Sequence, residues 1–224
     1  MALVDHEFHC IADPGTAHPF AMLFIALNRH TNDVYYLDEL YVLEQSDNSV
    51  RSMYERECAI IREIYPYPDE WLYTYDEAAL WFLNERNSLA RTDPRANLGW
   101  MPTNKQGMKR QLGEVKPGIS TFKDMMRYGK AHISSRCKNF VDEIKGYAKN
   151  SRGEIPKKKD DLLDCNRYFI QRASYQVEDM PLVATPKARP ESVRSMTSQP
   201  KDEYVEVDEY IITNPFEEDE EWSY

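Results

Sequence analysis

The sequence predicts an α/β fold: a mixed β-sheet, opened by a three-strand antiparallel meander and continued by parallel strands, with helices on its faces. Three observations lead there. Three apolar, aromatic-rich runs stand near the N-terminus, separated only by turn-forming residues. From about position 49 the apolar period changes from two to three and four. Strand-like and helix-like segments then alternate to about position 173.

Glu7–Ala12 ("EFHCIA") reads as a buried strand, and Pro14 and Gly15 after Asp13 break it. Ala21–Asn28 and Asp33–Val42 follow as two further strands, rich in aromatic and branched residues, with "RHTND" as the turn. In Ser49–Ile64 the residues Val50, Met53, Tyr54, Glu57, Ile60, Ile61 and Ile64 recur at helical steps, and Pro66 and Pro68 end the helix. Glu70–Tyr75 is a short strand stopping at Asp76-Glu77, and Ala78–Asn87 continues as a helix. Thr92–Val115 is rich in Pro, Asn and Gly and reads as loop. "GISTFKDMMRYG" predicts a short helix with Ser120 as its N-cap; Ala131–Ser134 follows as a strand and "CKNFVDEIKGYA" as an amphipathic helix. "KKKDDLLDCNRYFI" (Lys157–Ile170) opens the last helix, which runs to about Ala173. Residues 1–175 are thus expected to form one domain. Residues 176–224 read as a Pro- and Ser-rich linker and an acidic tail, largely disordered or partner-binding, with one strand-like segment in "YVEVDEYIIT".

Bulk properties narrow the function. The chain has 224 residues, 42% of them hydrophobic, enough for one domain with a proper core. No apolar run approaches the roughly 18–20 residues that span a bilayer, and the start "MALVDHEFHC" lacks the pattern of a signal peptide. Cys10, Cys58, Cys137 and Cys165 are scattered without a CxxC pair, which argues against a zinc knuckle and for a reducing compartment. The net charge of −10 is segregated: Met101–Lys159 holds 15 Lys and Arg against 5 Asp and Glu, whereas Lys201–Tyr224 holds ten acids and one lysine. A basic stretch is either a solvated surface or a polyanion-binding face, and charge alone does not choose between them.

Acids at the ends of elements carry the chemical signal. Asp13 ends the first strand, Asp76 ends a later one, and Asp161 and Asp164 sit on one face of the last helix because i and i+3 are neighbours there. Two adjacent strands bring their terminal acids together, and a helix across that end adds the other two. Clustered carboxylates raise one another's pKa unless a cation neutralises them. Their hard oxygens select Mg²⁺ or Mn²⁺, and two such ions about 3.5–4 Å apart support phosphodiester hydrolysis. Each acid also has a plain reading. Asp13 suits an ordinary turn before Pro-Gly, Asp76 suits an N-cap, and Asp160 and Asp161 suit the start of the last helix. Asp164 lies among apolar residues, where an unpaired carboxylate costs several kcal/mol.

These residues resemble those of the C-terminal nuclease domain of the large terminase subunit of tailed bacteriophages, an RNase H-like fold related to Holliday-junction resolvases. "IADPG" with the hairpin after it resembles that family's first catalytic strand, "YTYDEAALWF" its second acidic motif, and "KKKDDLLDCNRY" its Asp-His-x-x-Asp-Ala-x-Arg-Tyr signature. Asp161 replaces the signature's His and Cys165 its Ala. The resemblance covers about Glu7 to Ala173. It implies that Asp13, Asp76 and Asp164 are catalytic metal ligands for two Mg²⁺ or Mn²⁺ ions, with Asp161 auxiliary. Glu77 competes with Asp76 for the second position, and Glu39 is a further candidate. Lys105, Lys109, Lys123, Lys157, Lys158 and Lys159 are then expected to contact DNA phosphates.

The implied activity is endonucleolytic cutting of concatemeric double-stranded viral DNA during packaging. The implied partners are the portal protein, the small terminase subunit and an N-terminal ATPase domain. The implied location is the host cytoplasm, at the procapsid, with no membrane association. A Gly-x-x-x-x-Gly-Lys-Ser/Thr phosphate loop is absent from the sequence, so the chain reads as a nuclease part that does not hydrolyse ATP. Phe216, Trp222 and Tyr224, set among the acids of the tail, suit either docking on a basic protein or a solubilising tail. Two other functions fit the residues: a junction-resolvase-like nuclease, and a nucleic-acid or protein binding module in which the acids are structural.

Overall fold

The computed structural model of the chain describes residues 5–15, 18–43, 49–103, 116–146 and 160–173, with Lys116 and Pro117 described for their backbone only. Lysines 105, 109 and 157–159 and the expected linker and tail, with its strand-like segment, lie outside these residues.

Strands β1 (His6–Pro14), β2 (Phe20–Asn28) and β3 (Asp33–Val42) form the antiparallel meander expected from their composition. Helix α1 (Val50–Ile64) follows, with the Ser49 side chain accepting from Ser52 N–H as its N-cap. Strand β4 (Trp71–Tyr75), helix α2 (Leu80–Leu89), strand β5 (Met101–Pro102), helix α3 (Lys116–Arg127), strand β6 (Ala131–Ile133) and helices α4 (Lys138–Gly146) and α5 (Asp161–Arg172) complete the order. The six strands form one sheet in the order β5-β4-β1-β2-β3-β6. β4 runs parallel to β1, β5 to β4 and β6 to β3.

Alternation along the strands divides the core into two layers. Phe8, Cys10 and Ala12 of β1 face the α1–α2 side with Trp71, Tyr73 and Tyr75 of β4. Ile11 of β1 and Leu23, Ile25 and Leu27 of β2 face α3, α4 and α5. α5 supplies that second layer with Leu162, Cys165, Phe169 and Ile170, the apolar stripe of its sequence. It packs on β1, β2 and β4. Its far end is tied down by Arg29, whose Nη1 donates to Ala173 O at 2.8 Å, and Tyr36 OH donates to Asn166 Oδ1 at 2.6 Å in its middle.

Four sequence expectations change. β1 does not stop before Asp13: Asp13 and Pro14 still pair with Ala21 and Phe20, because a proline at a strand end gives up only one ladder donor. Ser120 is not an N-cap but lies inside α3, which begins at Lys116 with Pro117 in its first turn. α2 begins at Leu80 rather than Ala78, after a turn at Asp76–Ala79. The stretch from Thr92, read as loop, contains a 3₁₀ turn at Pro94–Ala96 and the two-residue edge strand β5, too short to show a period.

Candidate active site

Register brings the first two acids together. Ala12 of β1 pairs with Tyr75 of β4, and Asp76 N–H donates to Ala12 O at 3.0 Å. Asp13 and Asp76 therefore follow side by side at the carboxyl ends of neighbouring parallel strands, where open α/β sheets place their ligands. Ala12 and Tyr75 face α1 and α2, so by strand alternation Asp13 and Asp76 face α5.

α5 brings the other acids over that face. Tyr168 OH, buried, donates to Asp76 Oδ2 at 3.2 Å. Burial pushes the Tyr168 hydroxyl's pKa far up, and the charges of Asp13, Asp164 and Asp76 push it further. The Cys165 thiol, fully buried beside Ala21 O, is raised the same way, by burial and then by Asp13, Asp164 and Glu143. Acids from three distant parts of the chain thus bear on one turn of one helix. Asp161 is half-buried; burial and then the Asp160 charge raise its pKa, while His18 and the Tyr41 hydroxyl, 3.4 Å from its Oδ2, lower it.

Each side chain also has a partner within the protein. Asp76 Oδ1 accepts from Ala78 N–H at 2.9 Å, a contact within the turn before α2 rather than at its N-cap, which is Ala79. Asp164 is ion-paired with Arg167, one turn along α5. Gly118 of α3 gives the Arg167 stem its room, since a Cβ there stands 3.3 Å from Arg167 Cγ. Among the described residues no three His, Cys, Asp or Glu side chains, as they stand, form a group that could hold a metal ion. The donor set fits a hard cation in kind, being carboxylate oxygen, and the register sets Asp13 beside Asp76, with α5 and its Asp164 packed on the same strands.

The remaining candidates separate. Glu39 is a helix cap: Oε1 accepts from Asn139 N and Nδ2, both at 2.7 Å, and Oε2 from Phe140 N at 2.8 Å, at the start of α4. Glu77 N–H donates to Thr103 Oγ1 at 3.1 Å, while Asp76 carries the contact to α5. Lys123 is exposed on α3 and shares with Arg167 the lining of a cleft between α3 and α5.

Sequence reasoning missed Tyr168, Arg167, Tyr41 and Glu143. Tyr168 and Arg167 had a readable signal, lying four and three residues after Asp164 and so on its face of the helix. Tyr41 and Glu143 had none, because their contacts to α5 span 120 and 19 residues. Glu143 is buried, and its Oε2 accepts from Leu162 N and Leu163 N, both at 2.9 Å. Burial foremost, with the charges of Asp161 and Asp160, pushes its pKa up to about 8 despite the two backbone donors.

No family model matches the chain. Over 68 residues it is 37% identical to the terminase large subunit of Salmonella phage P22, a match covering 30% of this chain and 14% of that protein. Over 54 residues it is 37% identical to the terminase large subunit of Enterobacteria phage LP7, covering 24% of this chain and 11% of the relative. The matched segments thus span a small part of these relatives. The large terminase of a thermophilic bacteriophage superposes with a TM-score of 0.56 at 19% identity, over 76% of this chain and 40% of that one. The P22 large terminase nuclease domain superposes with a TM-score of 0.55 at 18% identity, over 76% of this chain and 83% of that one. No described helix is long and apolar enough to cross a membrane. The chain has the RNase H-like fold of the large-terminase nuclease domain, a mixed six-strand sheet between two helical layers, and its sequence resembles that of terminase large subunits.

Proposed function

We propose that this chain is the nuclease part of a terminase large subunit, an endonuclease that cuts concatemeric viral DNA during packaging. The observation that supports it most is the register that sets Asp13 and Asp76 side by side at the carboxyl ends of β1 and β4, with α5, which carries Asp164, packed on those strands and its Tyr168 hydroxyl bonded to Asp76. Asp13, Asp76 and Asp164, with Asp161 auxiliary, would hold Mg²⁺ or Mn²⁺. Such ions, as a pair, supply an activated water and stabilise the departing oxygen of the phosphodiester. The chain's own part is to orient these acids. Tyr168 fixes Asp76 by donating to Oδ2, Ala78 N–H fixes the other oxygen, and the Arg167 guanidinium offsets the charge of Asp164. Lys123, and the lysines at 105, 109 and 157–159, would contact DNA phosphates, giving affinity that falls with salt. The portal protein, the small subunit, an ATPase domain of the same protein and a site of action in the host cytoplasm belong to the same reading.

Plasmid digestion with Mn²⁺, Mg²⁺, Ca²⁺ or EDTA tests it. Nicking and linearisation are expected with Mn²⁺ or Mg²⁺ and none with EDTA. Asp13→Asn and Asp164→Asn are each expected to lower the rate at least about a hundredfold, the scale of losing one group that stabilises transition-state charge. Preference for four-way junctions over linear duplex moves the reading to a resolvase. The Asp164–Arg167 pair favours a second reading, a binding module with structural acids. Wild-type behaviour of both variants with no divalent-ion binding establishes it instead.

A further inference from the structure

We propose that Glu143 is a positioning residue for the acidic site: it grips the first turn of α5 and so sets where Asp161 and Asp164 stand against Asp13 and Asp76. The inference rests on the nuclease reading of that site.

The first turn of any helix leaves backbone N–H groups without intrahelical acceptors. The residue placed to serve them locally is Asp160, and its side chain makes no capping hydrogen bond. Glu143 of α4 does so instead, with one oxygen receiving Leu162 N–H and Leu163 N–H. Those two residues lie directly between Asp161 and Asp164 in the sequence. A shift of α5 by one residue turns every side chain by about 100° around its axis, so the grip fixes which way both acids face. Glu143 is only 6% exposed, and its Oε1 makes no hydrogen bond among the described residues. A carboxyl group buried there at a desolvation cost makes its two hydrogen bonds through Oε2.

The grip is referenced to the sheet. α4, which carries Glu143, is itself capped by Glu39 of β3 through Asn139 and Phe140. Two carboxylates therefore act in series, Glu39 fixing α4 on the sheet and Glu143 fixing α5 on α4. Asp13 and Asp76 belong to that same sheet, so both halves of the site share one frame.

The test is Mn²⁺ binding by the 224-residue chain, read from the spectrum of free Mn²⁺, with the thermal midpoint measured in parallel. Glu143→Ala is expected to stay folded and to bind Mn²⁺ about ten- to a hundredfold more weakly, as loss of a group that orients ligands does. Glu143→Gln keeps an oxygen acceptor for the same N–H groups and is expected within about twofold of wild type. Wild-type binding with unchanged affinity in Glu143→Ala overturns this proposal alone. So does a Glu143→Gln as weak as Glu143→Ala, since charge rather than the grip then matters. A wild-type chain that binds no Mn²⁺ overturns the nuclease reading, and this proposal with it. Should Glu143→Ala unfold, Glu143→Asp, one methylene short of the two N–H groups, takes its place with the same outcomes.

Discussion

The two faces of the sheet each bury a carboxylate, and they treat it differently. On the α1–α2 face Glu57 is 2% exposed and meets Arg86 in a two-pronged pair, Nη1 to Oε2 at 2.8 Å and Nη2 to Oε1 at 3.0 Å. The Arg86 guanidinium also lies over the rings of Tyr54 and Trp100, 4.7 and 5.1 Å from their centroids. Charge and packing close within that layer. On the α5 face Glu143 meets backbone N–H groups, and the charges of Asp161 and Asp160 oppose its ionisation. One layer brings its own countercharge. The other answers Glu143 with backbone N–H groups of α5.

That contrast is sharpest in its largest expected effect. Glu57→Ala leaves the Arg86 guanidinium buried without its partner and is expected to cost about 3–5 kcal/mol of stability in urea unfolding. Glu57→Leu combined with Arg86→Met is expected to recover most of that loss, because an apolar pair of similar volume needs no countercharge. A cost under about 1 kcal/mol for Glu57→Ala, the range of an exposed pair, breaks the comparison.

A smaller effect tests the other face. Tyr168→Phe removes the donor to a buried Asp76 oxygen and is expected to cost about 1–2 kcal/mol without divalent ions. If Asp76 takes a cation, saturating Mn²⁺ shrinks that cost, because the ion then satisfies the oxygen that Tyr168 served. An equal cost with and without Mn²⁺ removes Asp76 from the ligand set.

The smallest effect lies at the far end of β1, where acid and base are paired. His9 is fully buried, edge-on to Phe169, with its Nε2 2.6 Å from Glu7 Oε1. Burial lowers the His9 pKa below 6.5, helped by the charges of Arg29 and Arg172, while Glu7 opposes the shift. The hydrogen bond from His9 and the contacts to Arg29 hold Glu7 down at about 2, against burial. Both signs agree. Below pH 6.5 the unfolded chain takes up a proton at His9 that the folded chain resists, and below 4.5 it takes up another at Glu7, until the folded Glu7 follows near 2. Stability is expected to fall on acidification from pH 6.5, and His9→Gln to flatten the thermal midpoint between pH 6.5 and 5. An unchanged slope shows that other groups carry it.

Much of the fold was legible because its signals are local. The meander, α1, β4 and α5 follow from period and punctuation, and Asp13 and Asp76 were readable as acids at strand ends. β5 was not, since two residues carry no period and are strand only through their pairing with Thr74 and Tyr75. Ser120 was misread as a cap because a good capping residue is also tolerated within a helix. For the site, Asp161 and Asp164 were legible as one face of α5, and Tyr168 and Arg167 follow from the same spacing. Glu39 caps a helix 100 residues away, and nothing near it in sequence announces that.

The sequence by itself determined most of the strands and helices and which acids stand at their ends, because alternation and helical spacing are set by neighbours along the chain. Only the tertiary structure decided that β4 lies beside β1 in the register that sets Asp76 next to Asp13, that Asp164 pairs with Arg167, and that Glu143 holds the start of α5. A strand edge accepts any strand, and an unsatisfied N–H any acceptor. Which one it receives depends on how the layers pack, and composition and spacing carry no record of that.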